Sequence, residues 1–284
     1  MNHVYSLFPK MLGQVSVERL AGILQETGYD CVDLVVRDGF WVTPGGIKQE
    51  AASFVRSMQR SGIRVEFATT AFTPETLTAD SSPLDILADL GVTGFRMGYF
   101  SYTDSIGLAV QLDKARGQME KMAELCSARG MKAVYQVHHG YSQLIQHSFS
   151  ALAVVKGLPP EHVGIMLDPG NQYHEGREHF GKAVSTLGEY WAGIGVKDVV
   201  MKLDPNNKHS PGKGWSAAWS PCHEGVINWH EIGKSVRQYH RPILFNVQPF
   251  YYPQDLALHT AAMKEELAYI HSAFGEANGS HEQA

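Results

Sequence analysis

The chain has 284 residues, enough for one large domain or two small ones, and a formal net charge of −5 from 24 basic and 29 acidic residues. It contains no run of Lys or Arg and no apolar segment near the roughly 20 residues that cross a bilayer, so we expect no nucleic-acid partner and no membrane span. Three cysteines without a disulfide framework, and an N-terminus without a signal-peptide pattern, predict a cytoplasmic protein.

Short β-branched segments alternate with longer amphipathic ones along the chain, which is typical of parallel βαβ units. The predicted strands are residues 4–8, 31–36, 64–70, 94–100, 132–138, 163–168, 193–200 and 242–248. The predicted helices are residues 16–28, 47–62, 83–91, 105–130, 141–157, 177–193, 228–240 and 253–275. Several of these helices end at a glycine, the common C-cap residue.

This alternation predicts an α/β fold, a single-domain (β/α)₈ TIM barrel over residues 1–275, followed by a disordered polar tail at 276–284. A doubly wound sheet is the alternative, but the turn after the first strand lacks the G-x-G-x-x-G pattern. Residues 202–225 form an unusually long connection after the seventh strand. Connections of that length are often functional loops.

Polar residues near the ends of the predicted strands are the candidate site residues, because barrel enzymes carry their chemistry at the C-terminal ends of the strands. The candidates are Glu66, Arg96, Gln136, His138, Asp168, Lys197, Asn246 and Gln248, with Trp215 and His223 in the long connection. Inward polar side chains cost free energy unless they are hydrogen-bonded or solvated. Their recurrence on five or six strands therefore predicts a wet pocket at the barrel mouth.

Five segments resemble signatures of the xylose isomerase-like barrel superfamily, which contains sugar and sugar-phosphate isomerases and epimerases with inosose-processing and endonuclease IV-like relatives. The segments are GYDCVDL (28–34), YQVHHG (135–140), VGIMLDPGNQYHEG (163–176), VKD (196–198) and PCHEGVINW (221–229). The resemblance implies a divalent cation held by Glu, Asp, His and Glu from strands 5 to 8. It also implies proton transfer through an enediolate.

Only Asp168 matches its position in that ligand set; the other three positions hold Gln136, Gly195 and Asn246. Two amides and a glycine do not compensate the charge of a hard divalent cation. We therefore expect a degenerate site with no metal cofactor. A Mn²⁺, Mg²⁺ or Zn²⁺ ion at Asp168, with ligands rearranged to include His138, His174 or His223, remains an alternative.

The remaining polar residues suggest metal-free proton transfer. Asp168, His138 and His223 are the proton-transfer candidates, and Lys197 is expected to pair with Asp168 and to stabilise an oxyanion. His139, next to His138, is expected to point towards the barrel wall.

Substrate contacts are expected from the other candidates. Gln136 and Asn246 would orient hydroxyl groups, and Trp215 would stack on the apolar face of a sugar. Arg96 would either bind an anionic substrate group or pair with a buried Glu66.

The leading hypothesis is an isomerase or epimerase that forms an enolate from a small sugar or polyol derivative without the usual metal. The first alternative is a non-catalytic sugar-binding or partner subunit that kept the barrel. The second is a metal-dependent isomerase with rearranged ligands. Cleavage of DNA is disfavoured by the acidic composition, and a homo-oligomer is compatible with the resemblance.

Overall fold

A computed structural model of the chain describes residues 3–210, 212–249 and 255–275, so the predicted tail at 276–284 lies outside the described residues. The described part contains eleven strands: β1 (Val4–Leu7), β2 (Cys31–Val32), β3 (Leu34–Val35), β4 (Phe67–Thr69), β5 (Gly94–Arg96), β6 (Lys132–Gln136), β7 (Val163–Leu167), β8 (Trp191–Val196), β9 (Asp198–Leu203), β10 (Trp215–Ser220) and β11 (Leu244–Val247).

Nine of these strands form one parallel sheet in the order β2-β1-β11-β8-β7-β6-β5-β4-β3. The terminal strands β2 and β3 belong to the same predicted strand, interrupted at Asp33, so the sheet curls round until one chain segment forms both of its edges. The sheet is therefore an almost closed barrel of eight staves. The predicted single-domain TIM barrel is confirmed.

Helices surround the barrel: α1 (Val17–Thr27), α2 (Ile47–Arg60), α3 (Pro74–Ala79), α4 (Ser82–Asp89), α5 (Leu108–Ser127), α6 (Ser148–Val155), α7 (Pro169–Glu175), α8 (Phe180–Leu187), α9 (Trp229–Gln238) and α10 (Leu256–Phe274). Helix α1 shows how the local sequence sets these bounds. Ser16 accepts a hydrogen bond from the amide of Arg19 at its start, and Gly28 ends it with φ of 87°. None of the described helices is long and apolar enough to cross a membrane.

The fifth predicted helix, at 141–157, is wrong at its N-terminus, because the observed helix α6 begins at Ser148 rather than at Tyr141. Residue Gln143 instead forms an antiparallel bridge with Ser101, so the segment before the helix is held against the loop that follows β5.

Alternation along the strands separates two kinds of barrel residue. One face packs against the helices, and Phe95, Tyr135 and Ile165 on it are completely buried. Burial of such side chains stabilises the fold by about 1.5–3 kcal/mol each. The opposite face fills the barrel interior with a small apolar cluster of Phe67, Val134 and Met166. Polar residues follow these three along their strands, towards the C-terminal end.

The segment 202–225, which was predicted to be a long loop, instead belongs largely to an antiparallel hairpin. Strand β9 follows β8 after the single residue Lys197, and it pairs with β10 from Asp198–Ser220 to Leu203–Trp215. The segment between them contains Gly212 and Gly214, with φ of 91° at Gly214. Such glycines favour tight turns, and here they close a hairpin that projects from the barrel mouth.

Candidate active site

Polar side chains from eight staves meet inside the C-terminal end of the barrel. They are Ser6, Asp33, Thr69, Arg96, Gln136, Asp168, Lys197, Asn246 and Gln248, and all of them are buried. Each lies at or near the end of its strand, on the face that alternation directs inward. The barrel therefore closes with a layer of hydrogen-bonding groups above the apolar cluster.

Asp168 is the centre of this layer. Its Oδ2 accepts a hydrogen bond from Gln136 Nε2 at 2.6 Å and lies 3.0 Å from the Nζ of Lys197. Its Oδ1 accepts the backbone amide of Asn171 at 2.8 Å, so the same carboxylate caps α7. Pro169 after it favours the extended backbone that ends the strand and starts this short helix. The carboxylate is thus fixed from three directions.

Lys197 is held as firmly as its partner. Its Nζ donates to Gln248 Oε1 at 3.0 Å and lies 4.7 Å from the centre of the Trp219 ring. Burial lowers the pKa of Lys197, whereas the carboxylate of Asp168 acts in the opposite direction. The predicted ion pair is therefore present, with side chains that are 2% and 0% exposed.

Asp33 is a second buried carboxylate, and it was not among the predicted site residues. It accepts hydrogen bonds from Ser6 Oγ at 2.6 Å, Thr69 Oγ1 at 2.9 Å and Asn246 Nδ2 at 2.5 Å. Burial raises its pKa to about 6, against the effect of these donors. Its only sequence signal is its place in the segment GYDCVDL, where a polar residue interrupts an apolar strand.

Amides connect the two carboxylates. Asn246 Oδ1 accepts from Gln248 Nε2 at 2.6 Å, and Gln248 in turn accepts from Lys197. A continuous chain of hydrogen bonds therefore crosses the barrel from Asp33 to Asp168. Lys197 is therefore connected to both carboxylates, directly to Asp168 and through Gln248 and Asn246 to Asp33.

Aromatic rings form one wall of the mouth. The imidazoles of His138 and His139 stack with their centres 4.7 Å apart, and His139 stacks on His174 at 4.4 Å. Trp219 contacts His174 at 4.6 Å, and Tyr99 contacts His138 at 4.8 Å. The wall reaches the ion pair through Trp219, whose ring also faces Lys197.

The expected orientation of His139 is wrong. The prediction extended strand alternation to residue 138, but β6 ends at Gln136 and the chain turns at Gly140 with φ of 112°. The Nδ1 of His139 lies 2.7 Å from Asn171 Oδ1, and its ring joins the stack at the mouth.

His138 and His174 are poised as neutral bases. The pKa of each is lowered to about 4, mainly by burial, and the nearby Lys197 ammonium acts in the same direction. The Nδ1 of His138 lies 2.8 Å from the carbonyl oxygen of His139. Because a carbonyl oxygen only accepts hydrogen bonds, Nδ1 carries the proton, and Nε2 is left as the basic nitrogen. The Nε2 of His174 is buried and, among the described residues, has no hydrogen-bond partner.

Three predicted site residues do not join this cluster. Glu66 precedes β4 at the opposite end of the barrel and pairs with Arg64, so the expected pair with Arg96 does not form. The assumed register was wrong: Thr69 points inward to Asp33, which places Glu66 on the other face.

The other two lie on or after the hairpin. Trp215 is at the far end of β10 and is 53% exposed, whereas Trp219 on the same strand reaches the ion pair. His223 follows β10, with a side chain that is 40% exposed and contacts Glu224 and Tyr269.

Comparison with known proteins is consistent with this geometry. The profile of the xylose isomerase-like TIM barrel family matches residues 21–271. The chain belongs to this family. No curated protein matches it in sequence.

Solved structures of the family share its fold at low identity. D-psicose 3-epimerase from Clostridium cellulolyticum, solved with D-tagatose, has a TM-score of 0.72 at 12% identity over 95% of this chain and 99% of that one. A xylose isomerase-like protein from Mycobacterium smegmatis in complex with magnesium gives 0.70 at 15% identity over 96% and 100%. The 3-keto-D-glucoside 4-epimerase of Escherichia coli gives 0.67 at 12% identity over 95% and 100%.

The donor set at Asp168 does not fit the divalent cation that the family resemblance implies. An ammonium already lies 3.0 Å from the carboxylate, and a second cation there would be repelled. A Cβ added at Gly195 would lie 2.6 Å from Asp168 Oδ2 and 2.9 Å from Gln136 Nε2, so these two side chains occupy the space that an imidazole at position 195 would need. Among the described residues, no group of three or more His, Cys, Asp or Glu side chains is arranged to hold a metal ion.

Proposed function

We propose that this protein is an isomerase or epimerase of a small polyhydroxylated carbonyl compound, and that it works without a divalent cation. The observation that carries the proposal is the buried ion pair, in which the Lys197 ammonium lies 3.0 Å from Asp168. Asp168 is the one residue that matches the ligand set implied by the family resemblance. A carbohydrate substrate is supported by the structural relatives, which include two sugar epimerases.

The chemistry follows from the charges and hydrogen-bond capacities at the mouth. His138 Nε2 takes the proton from the carbon next to the substrate carbonyl, and the C–H electron pair moves into an enediolate. Lys197 stabilises the developing oxyanion, because a fixed ammonium in a dry site interacts strongly with new negative charge. For the isomer, the proton returns to the former carbonyl carbon while the hydroxyl proton on the adjacent oxygen moves to the former carbonyl oxygen. For the epimer, a proton returns to the original carbon from the opposite face.

The other residues of the layer orient Lys197 and the substrate and do not transfer protons. Asp168 accepts three hydrogen bonds, which makes it an orienting partner for Lys197 more than a base. Gln136 offers its amide next to Tyr99, whose hydroxyl lies 3.4 Å from Gln136 Oε1. Amides can donate and accept, so they suit substrate hydroxyl groups.

A second candidate function is non-catalytic binding of the same class of compound. It is favoured by the completeness of the hydrogen-bond chain: within the described residues, the side chains of Asp168, Lys197, Gln136 and Asn246 all have partners. A substrate reaches them only if one of these bonds breaks.

Deuterium exchange separates the candidates without knowledge of the product. The purified protein is incubated in deuterated water with ketoses, aldoses, sugar acids and inositol-derived ketones, and nuclear magnetic resonance follows exchange at the carbon next to the carbonyl. Catalysis through an enolate predicts exchange that is lost in Lys197→Met. Thermal stabilisation by one of these compounds without exchange would favour the binding protein.

The same assay tests the metal-free part of the proposal. Exchange is expected to persist after treatment with EDTA, and elemental analysis is expected to find less than stoichiometric Mn, Mg or Zn. Exchange that disappears with EDTA and returns with Mn²⁺ would instead support a metal-dependent isomerase with rearranged ligands.

A further inference from the structure

Basic side chains gather at the barrel mouth of an otherwise acidic protein. Lys10 follows β1, Arg37 follows β3, Arg96 ends β5 and Lys197 follows β8. In a parallel barrel all these positions lie at the same end. Burial lowers the pKa of Lys10, and the guanidinium groups of Arg37 and Arg96 lower it further. The mouth is therefore positive, although the whole chain carries a formal charge of −5.

Arg96 has hydrogen-bonding capacity that the protein does not use. Its Nη2 donates to the carbonyl of Thr70 at 3.1 Å, and its Nη1 donates to the hydroxyl of Tyr99. Its Nε is buried and has no hydrogen-bond partner among the described residues, in a residue that is only 9% exposed. A buried donor left without a partner costs about 1–3 kcal/mol, so a ligand that accepts from it gains that free energy.

Arg37 and Arg96 also lack a close counterion. Within the described residues, no carboxylate lies within 4 Å of either guanidinium; Arg37 lies instead 5.9 Å from the centre of the Phe40 ring. The two inward carboxylates are already engaged, Asp33 by Ser6, Thr69 and Asn246 and Asp168 by Gln136 and Lys197. Arg96, with its unpartnered Nε–H, and Arg37, which has no carboxylate within 4 Å among the described residues, are therefore suited to an oxyanion from outside.

We propose that Arg37 and Arg96 form a subsite for an oxyanion, carboxylate or phosphate, carried by the substrate, with Lys10 adding to the local positive charge. The inference rests on the proposed function for the class of compound, a small polyhydroxylated molecule. It adds that this molecule is an acid or a phosphate ester. The positive mouth also attracts such a molecule over distance, because charge at a concave site focuses the field.

Binding of inert compounds tests the subsite independently of turnover. D-Glucitol, D-gluconate and D-glucitol 6-phosphate share one carbon skeleton and have no aldehyde or ketone group, so calorimetric titration measures recognition alone. We expect gluconate or glucitol 6-phosphate to bind about tenfold or more tightly than glucitol, and the affinity to fall as salt is raised. The stronger of the two anions identifies the source of the oxyanion.

Variants assign that affinity to the two arginines. Arg37→Gln and Arg96→Gln are each expected to weaken binding of the anion by about tenfold or more and to change the weak binding of glucitol much less, because the polyol has no charge to pair with a guanidinium. Arg64→Gln is the matched control, because Arg64 pairs with Asp30 and Glu66 at the other end of the barrel. Circular dichroism checks folding, and the half-buried Arg37 keeps the test decisive if Arg96→Gln fails to fold.

The proposal is overturned if neither anion binds more tightly than glucitol, or if Arg37→Gln binds the anion as wild type does. These results are distinct from failure of the proposed function. Anion binding that is lost in the arginine variants, in a protein without deuterium exchange, would keep the subsite and remove the catalysis.

Discussion

Replacing Lys197 by methionine tests the central ion pair most directly. The variant keeps an unbranched side chain that is one atom shorter and removes the ammonium, so Asp168 is left with Gln136 and the Asn171 amide. Both partners are almost fully buried, at 2% and 0% exposure, and water cannot replace the ammonium. Removal of one partner of a buried pair costs about 3–5 kcal/mol, and we expect that loss in the free energy of unfolding.

A surface pair of the same chain supplies the control. Lys234 lies close to Glu231, but both side chains are 59% exposed. Lys234→Met should therefore cost only about 0–1 kcal/mol, although the chemical change is the same. Urea unfolding followed by circular dichroism measures both variants under one condition.

The double variant Lys197→Met with Asp168→Asn completes the cycle. Because it removes both charges together, it should be more stable than the sum of the two single losses by about 1 kcal/mol or more. The reasoning is refuted if Lys197→Met is no more harmful than Lys234→Met, or if the two single losses simply add.

Three further predictions concern neighbouring groups. The pKa of Asp33 is raised from 3.8 to about 6, so the folded state binds its proton more tightly, and the stability that this proton contributes is lost as pH rises through that interval. In Asp33→Asn, the free energy of unfolding in urea should fall less steeply with pH over the same interval. An unchanged slope would contradict the assignment. Gly195→Ala should lower the melting temperature, since its Cβ would lie 2.6 Å from Asp168 Oδ2. Gly22→Ala within α1 is the control and should not lower it, because the nearest atom is 4.0 Å away. Equal melting temperatures of the two variants would argue against the close approach at Gly195. The neutral form of His138 is the proposed base, so deuterium exchange should persist down to about pH 4, where its pKa lies, and should slow at lower pH. His138→Gln should reduce the exchange rate by a factor of about 10²–10⁴. A variant that exchanges at the wild-type rate would exclude this role.

Strand periodicity made much of the site predictable. Gln136, Asp168, Lys197 and Asn246 all point into the barrel as expected, because each lies at the end of an apolar strand with a clear inward face. The pairing of Lys197 with Asp168 followed from their places on adjacent strands and from the cost of burying either charge alone.

The failures have local causes. Polar and apolar residues alternate from Arg64 to Phe67, but the alternation is lost in the following residues 68–70. The assumed register therefore failed, and the inward residue is Thr69. Asp33 was overlooked because it interrupts a strand that otherwise looks continuous. The hairpin resembled a loop, since residues 204–214 are polar and rich in Pro, Asn and Gly, and no local pattern indicates the pairing of β9 with β10.

Lys197 occupies the hinge between the barrel wall and the hairpin. It is the one residue between β8 and β9, and its ammonium lies under the indole of Trp219 on the returning strand. A ligand that draws the ammonium away from this position therefore alters the surroundings of the indole. Tryptophan emission thus offers an optical signal for events at the bottom of the mouth.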